Sequence, residues 1–384
     1  MKFQCTYFTK ILSGIAVCLL LTGCGGFFDK DNTPTPTPLT DIKAEFQPQQ
    51  IWSVKTSSTI DDYLKLTPSI NGQAIYATGS SGRVSAISKL NGRFIWQVDL
   101  KTPIMTGPGV GDGLVVIGSR YGEVIALNQS NGQILWKQKV PGELLAKPAV
   151  GNGTVVIKTI GGHITALSSA HGTRQWSFNQ VEPALVLYGS STPLIKDNQV
   201  IVGFANGNLA KLSLGSGQLS WLQPIARPEG LFAIQRMIDI DADPILFEHR
   251  IFAATFQGQI ASLDWATGQS LWSHDISSYT GMAVDQNTIY VTDAKSHVWA
   301  FQANTGSVNW KQTRLEARII SAPAIMDRYI VVGDAEGYLH WLDRKNGHFA
   351  ARANISAPLY ATPLVENNIL YVLTRNGYLA AYKI

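Results

Sequence analysis

The chain has 384 residues, of which 45% are hydrophobic and 15% charged, an ordinary composition for a globular protein long enough to bury a large core. Its formal net charge is only +4, and its 31 Lys and Arg form no clustered stripe, which argues against nucleic acid as a partner. Of the three cysteines, Cys5 and Cys18 fall in the stretch read below as a cleaved signal, which leaves Cys24 alone, so stability is expected to come from packing rather than from disulfides.

In chain order, Lys2 and Lys10 flank a short basic start, and the apolar run that follows, residues 11–21, is too short to span a bilayer as a helix. It fits the core of a secretion signal. The run ends in Leu21-Thr22-Gly23-Cys24, which resembles the bacterial lipoprotein signal. That resemblance implies cleavage before Cys24, lipidation of its thiol and, with Gly25 next, sorting to the outer membrane. Residues 1–23 are thus expected to be a signal peptide, and 24–45 a lipidated Cys followed by a Pro/Thr-rich tether. The alternating Thr33-Pro-Thr-Pro-Thr-Pro38 favours extended polyproline II and a stiff spacer between membrane and fold.

From residue 46 onward a unit of fixed length recurs. Pro68–Trp96, Pro108–Trp136, Pro148–Trp176, Pro193–Trp221 and Pro244–Trp272 each span 28 residues, as do Met282–Trp310 and Pro323–Ala351. Pro363 opens an eighth unit that stops short at Ile384. Gly or Ser stands 14 residues after each opener, and Gly stands at 24 in all seven units that reach it, as at Gly92 and Gly132. Such positions mark turns where the backbone needs φ > 0. Between them lie β-branched runs such as Leu114-Val-Val-Ile-Gly118, and no sustained 3.6-residue apolar period. Four short strands in each of eight units predict an all-β fold, an eight-bladed propeller of antiparallel sheets over 46–384. The spare strand around Trp52 is expected to complete the eighth blade and close the ring.

The Pro-to-Trp length is constant, so insertions fall between a Trp and the next opener. The two longest such gaps are consecutive: 17 residues from Trp176 to Pro193 and 23 from Trp221 to Pro244. They join the same strand pair in neighbouring blades and should emerge side by side on one face, as binding insertions in repeat proteins do. The first carries Leu185, Val186, Leu187 and Tyr188; the second carries Arg227-Pro-Glu-Gly-Leu-Phe232, Arg236 and the run Asp239, Asp241, Asp243. Apolar anchors beside charges suit a protein-binding patch. Pro244 and Arg250 stand where a calcium loop needs Gly and Glu, so the Asp run is expected to form an acidic rim facing a basic partner surface.

The repeated Ala-Leu-x-x-x-x-Gly-x-x-x-Trp, as at Ala126-Leu127, Gly132 and Trp136, resembles the blades of the PQQ-like propeller superfamily. With the lipoprotein signal and the paired long connections, the chain resembles the BamB family of the outer-membrane β-barrel assembly (BAM) machinery. That resemblance implies a non-enzymatic lipoprotein facing the periplasm, gripping the POTRA domains of BamA and other BAM subunits. It implies help with folding and insertion of barrel proteins, with unfolded outer-membrane proteins as a further partner. It maps partner binding onto Leu185, Leu187, Tyr188, Arg236, Asp239 and Asp241. Family members carry Arg where this chain has Tyr188, which loses a charge and a fork of donors at one contact.

No His-Glu-x-x-His, Gly-x-Ser-x-Gly or phosphate-binding loop occurs, and the seven His are scattered over different blades. No catalytic residue, metal ligand or cofactor is expected. The competing readings are a periplasmic PQQ-dependent dehydrogenase, which would need quinone, calcium and a catalytic carboxylate in the channel, and a propeller that binds sugar or cell wall.

Overall fold

Eight four-stranded antiparallel sheets are arranged around the chain in the computed structural model, which describes residues 34–384 apart from residue 59 and residues 61–63. The expected signal peptide and Cys24 lie outside the described residues. Blade 2 is typical: Gly109–Gly111, Leu114–Gly118, Glu123–Asn128 and Ile134–Lys139 pair in sequence order. All five residues of Leu114–Gly118 are buried, because both faces of a middle strand lie against neighbouring blades. In the outermost strand, Ile134–Lys139, only Trp136 is buried. The only helical element among the described residues is a 3₁₀ turn at Ala233–Arg236.

The Trp–Gly repeat is a joint between blades. The indole of Trp136 lies over Gly172 of blade 3, so close that a Cβ there would sit 2.6 Å from the ring. Its Nε1 donates to the carbonyl of Ser169 at 2.8 Å. The same pairing recurs from Trp52 on Gly92 round to Trp310 on Gly347, each indole donating to the carbonyl three residues before that glycine. These glycines have φ near +70°, so the residue is required twice: by its backbone and by the ring above it. The glycine 14 residues after the opener also has positive φ, except in blade 5, where the left-handed residue is Gln257 instead of Gly258.

Blade 8 takes Leu364–Glu366, Ile369–Leu373 and Tyr378–Lys383 from the C-terminus and its outer strand, Gln49–Lys55, from the N-terminus. Trp52 therefore closes the ring as the sequence predicts. The joint between blades 7 and 8 lacks the indole, since Ala351 stands in the Trp slot. Phe46 fills in there, packed on Tyr329 at 4.9 Å and edge-on to Trp341 at 6.1 Å.

From Thr37 on, the residues leading to Phe46 lie against the fold, unlike the stiff spacer expected over 24–45. Thr37 donates its backbone N–H to the Glu316 carbonyl at 3.0 Å, and Glu45 donates to the Ala350 carbonyl at 2.8 Å. Arg318 and Arg352 each donate to a carbonyl of this strap, Thr37 and Thr40, at 3.0 Å. Glu45 pairs with Arg328. Arg318 is itself held by buried Asp334 at 2.7 Å. Extended backbone with Pro at alternate positions leaves carbonyls unpaired, and arginines from blades 6 and 7 satisfy them.

Candidate docking face

The connections between blades leave over the turns that follow the second strand. Gln180 donates to the Gly162 carbonyl at 3.1 Å, and Ile225 to that of Gly207 at 2.8 Å. The two long connections thus lie on one face, and they touch. The backbone N–H of Leu187 donates to Oδ1 of Asp239 at 3.1 Å, and that of Thr192 to Oδ1 of Asp243 at 2.6 Å. Between these bonds Asp241 abuts Gly189, where a Cβ would lie 2.8 Å from Oδ2. The Asp run follows an alternation: each carboxylate reaches back to the first loop, while Ile238, Ile240 and Ala242 point into the core.

This changes how the expected binding residues are read. Asp239 is 1% exposed and Asp241 half-buried, so these carboxylates shape the loops; the expected acidic rim is left to Asp243, which is exposed. Leu185 and Tyr188 are exposed (44% and 40%), Leu187 is half-buried, and Arg236 is exposed. Tyr188 donates its hydroxyl to Glu143 Oε1 at 2.5 Å, with Arg120 on the same carboxylate at 3.4 Å. Burial and this carboxylate push the Tyr188 hydroxyl up to about 12. A guanidinium from blade 2 therefore stands beside Tyr188, where the resemblance leads one to expect an Arg.

Beneath the loops lies a charge cluster with a buried lysine at its centre. Lys158, 4% exposed, donates Nζ to the Gly203 carbonyl at 2.5 Å and faces Glu182, Asp239, Asp241 and Asp243. Burial pushes Asp239 up to about 7, with the Asp241 charge adding to it, and raises Glu182 and Asp241 as well. Burial lowers Lys158. Asp239 Oδ2 makes no hydrogen bond in this structure. Beside the loops opens the channel mouth, a cavity of about 590 Å³ walled by Leu64, Met105, Leu187, Tyr279 and Met282, with Lys65 and Asp241 at its side. Among the described residues no group of three or more His, Cys, Asp or Glu is placed to hold a metal ion.

Sequence reasoning missed several contributors to this face. Glu143, Arg120 and Lys158 come from blades 2 and 3, and only folding brings them to the loops. Val181, Leu231, Phe232 and Ile234 are 87%, 93%, 66% and 60% exposed. Of these, Leu231 and Phe232 stand in the stretch that the sequence already marks as apolar anchors beside charges, and the structure adds Ile234 to them.

An eight-bladed propeller with Trp–Gly joints between its blades and two stitched insertions on one face defines the class of protein. The family described as outer membrane protein assembly factor BamB matches residues 64–312. An outer membrane protein assembly factor BamB from Legionella pneumophila (strain Paris) is 44% identical over 371 residues, covering 95% of this chain and 97% of its own. The protein of that description from Escherichia coli (strain K12) is 32% identical, over 96% of this chain and 97% of its own. The crystal structure of BamB from Moraxella catarrhalis superposes with a TM-score of 0.82 at 27% identity, covering 88% of this chain and all of that one (100%). The chain belongs to the BamB family of outer-membrane protein assembly factors. That description is of an accessory factor and not an enzyme, as the sequence reading expects. A quinohaemoprotein alcohol dehydrogenase from Comamonas testosteroni, 14% identical with a TM-score of 0.72 over 87% of this chain and 76% of its own, shares the fold alone.

Proposed function

We propose that this protein is a lipid-anchored, periplasm-facing scaffold of the BAM complex, whose stitched loop face binds the POTRA domains of BamA and so assists barrel folding and insertion. The observation that carries the reading is the interlocking of the two insertions. Leu187–Asp239 and Thr192–Asp243 hold Leu185 and Tyr188 on one pre-shaped surface, which lowers the ordering cost of binding. Cys24 is the proposed lipid attachment, with the residues before Thr37 as spacer. The lipid anchor also sets the outer membrane as its location.

Co-purification from detergent-solubilised native membranes tests the reading. The wild-type chain should retain BamA and other BAM subunits, and Leu185→Arg with Leu187→Arg should lose BamA while keeping its thermal transition. Retention of BamA by that variant would remove the face from the interface. Metabolic labelling with a tritiated fatty acid should mark the wild type and not Cys24→Ser.

A further inference from the structure

Residues 227–236 are all exposed, and residues 237–240 are all buried. This excursion is nonetheless built rather than loose. Gly230 adopts φ +104°, and the Gln235 side chain accepts the backbone N–H groups of Leu231 and Phe232 at 3.0 and 3.1 Å. The 3₁₀ turn at Ala233–Arg236 follows, with Gln235 N–H donating to the Phe232 carbonyl at 3.0 Å. Ile238 then locks the base beneath, against Gly207. With its amide turned to face them, Gln257 of blade 5 donates to the carbonyls of Ile234 and Gln235 at 3.1 Å.

A stiff knuckle of this kind holds Leu231, Phe232 and Ile234 outward in water, with exposed Arg227 and Arg236 at the two ends of the stretch. Solvated connections do not gather large apolar side chains without a surface to cover them. We infer that the knuckle is an anchor, inserting Phe232 with Leu231 or Ile234 into an apolar slot of a folded protein partner whose rim carries carboxylates for Arg227 and Arg236. Two points favour a protein slot. The knuckle is continuous with the Asp239–Asp243 stretch that shapes the proposed docking face, and its two cations outnumber the single Glu229. Apolar anchors in pockets with a charged surround are how protein interfaces concentrate their affinity. The inference rests on the proposed binding of BamA and extends it to residues outside the stitched loops.

The test uses the full-length protein and detergent-solubilised BamA, with Leu231→Ser, Phe232→Ser and Ile234→Ser combined. The expected result is binding weaker by on the order of thirtyfold or more, since a hot-spot side chain contributes that much. The thermal transition should not move, because these side chains touch little of the ring. Arg236→Glu should weaken binding and flatten its dependence on salt. Wild-type protein that fails to bind BamA would overturn the proposed function itself. Wild-type binding matched by the triple variant would overturn only the anchor. Loss in the triple variant of self-association, or, with both proteins carrying Cys24→Ser, of flotation with phosphatidylethanolamine vesicles, with BamA binding unchanged, would assign the knuckle to a second copy or to lipid and overturn it equally.

Discussion

The backbone N–H of Leu187 donates to the carboxylate of Asp239, 52 residues further along the chain and almost wholly enclosed. One bond thereby fixes two insertions that belong to different blades. The second oxygen of Asp239 is buried without a partner, next to Asp241 and Glu182, so the ionised form is costly there.

The stitch should make stability depend on pH with a definite sign. Asp239 has its folded-state value raised to about 7, so the protonated form is favoured by folding. Its contribution is fully present below about pH 4, the unfolded value, and is lost as pH rises to about 7. Asp239→Asn keeps an oxygen acceptor for Leu187 and removes the charge. Its melting temperature should equal the wild type's near pH 4, exceed it increasingly towards pH 7, and hold a constant gap above. Parallel melting curves across that range would show that Asp239 titrates normally. Asp239→Leu removes the acceptor too, and should loosen residues 185–189 in hydrogen exchange at every pH.

The interblade joint predicts a strong asymmetry between glycines. Gly172→Ala forces a Cβ into the indole of Trp136 at a backbone with φ +69°. It should cost about 2–4 kcal/mol in denaturant unfolding, at the level of Trp136→Ala at about 3–5 kcal/mol. Gly153→Ala has a similar φ but meets no atom within 4 Å, and should cost only about 1 kcal/mol. Equal losses at Gly153 and Gly172 would show that the ring contact adds nothing.

The strap should matter most where the indole is missing. Phe46→Ala removes the aromatic that packs on Tyr329 and Trp341 and should destabilise by about 2–3 kcal/mol. Faster hydrogen exchange should concentrate in Phe349–Asn354 and in Leu364–Glu366, the strands flanking that joint. Uniform exchange around the ring would mean that Phe46 does not seal it.

The link from Tyr188 to blade 2 should be separable from folding. Glu143→Gln removes the carboxylate that receives Tyr188 and Arg120. Because Tyr188 and Arg120 both stand at the surface, the cost in stability should stay within about 1 kcal/mol. Tyrosine titration by ultraviolet absorbance should show the Tyr188 component shift down from about 12. A titration curve identical to the wild type's would break the proposed pairing.

Much of this architecture could be read from spacing because a repeat states the same physics many times. Pro68 to Trp96 and its counterparts fixed the number of blades, and the surplus Trp52 fixed where the ring closes. The long connections also followed from counting. What escaped was whatever depends on a residue's position in space and occurs only once. Asp239, Asp241 and Asp243 look like a solvated acidic run in sequence. Only alternation with buried Ile238, Ile240 and Ala242 turns them back towards the neighbouring loop. Lys158 sits in an apolar strand, Thr154–Lys158, with no local sign that it will face four carboxylates. The strap was unreadable for a related reason: Pro and Thr specify an extended chain, and the arginines that hold it come some 280 residues later.

That strap has a mechanical consequence. A pull arriving from upstream of Thr37 meets the arginine clamps and the Phe46 wedge before it reaches Gln49–Lys55, the strand on which ring closure depends. Tension is therefore taken up along blades 6 and 7, in shear and by several bonds at once. The closing strand is spared from being peeled away one rung at a time, so the proposed lipid anchor could pull on the ring without unzipping it.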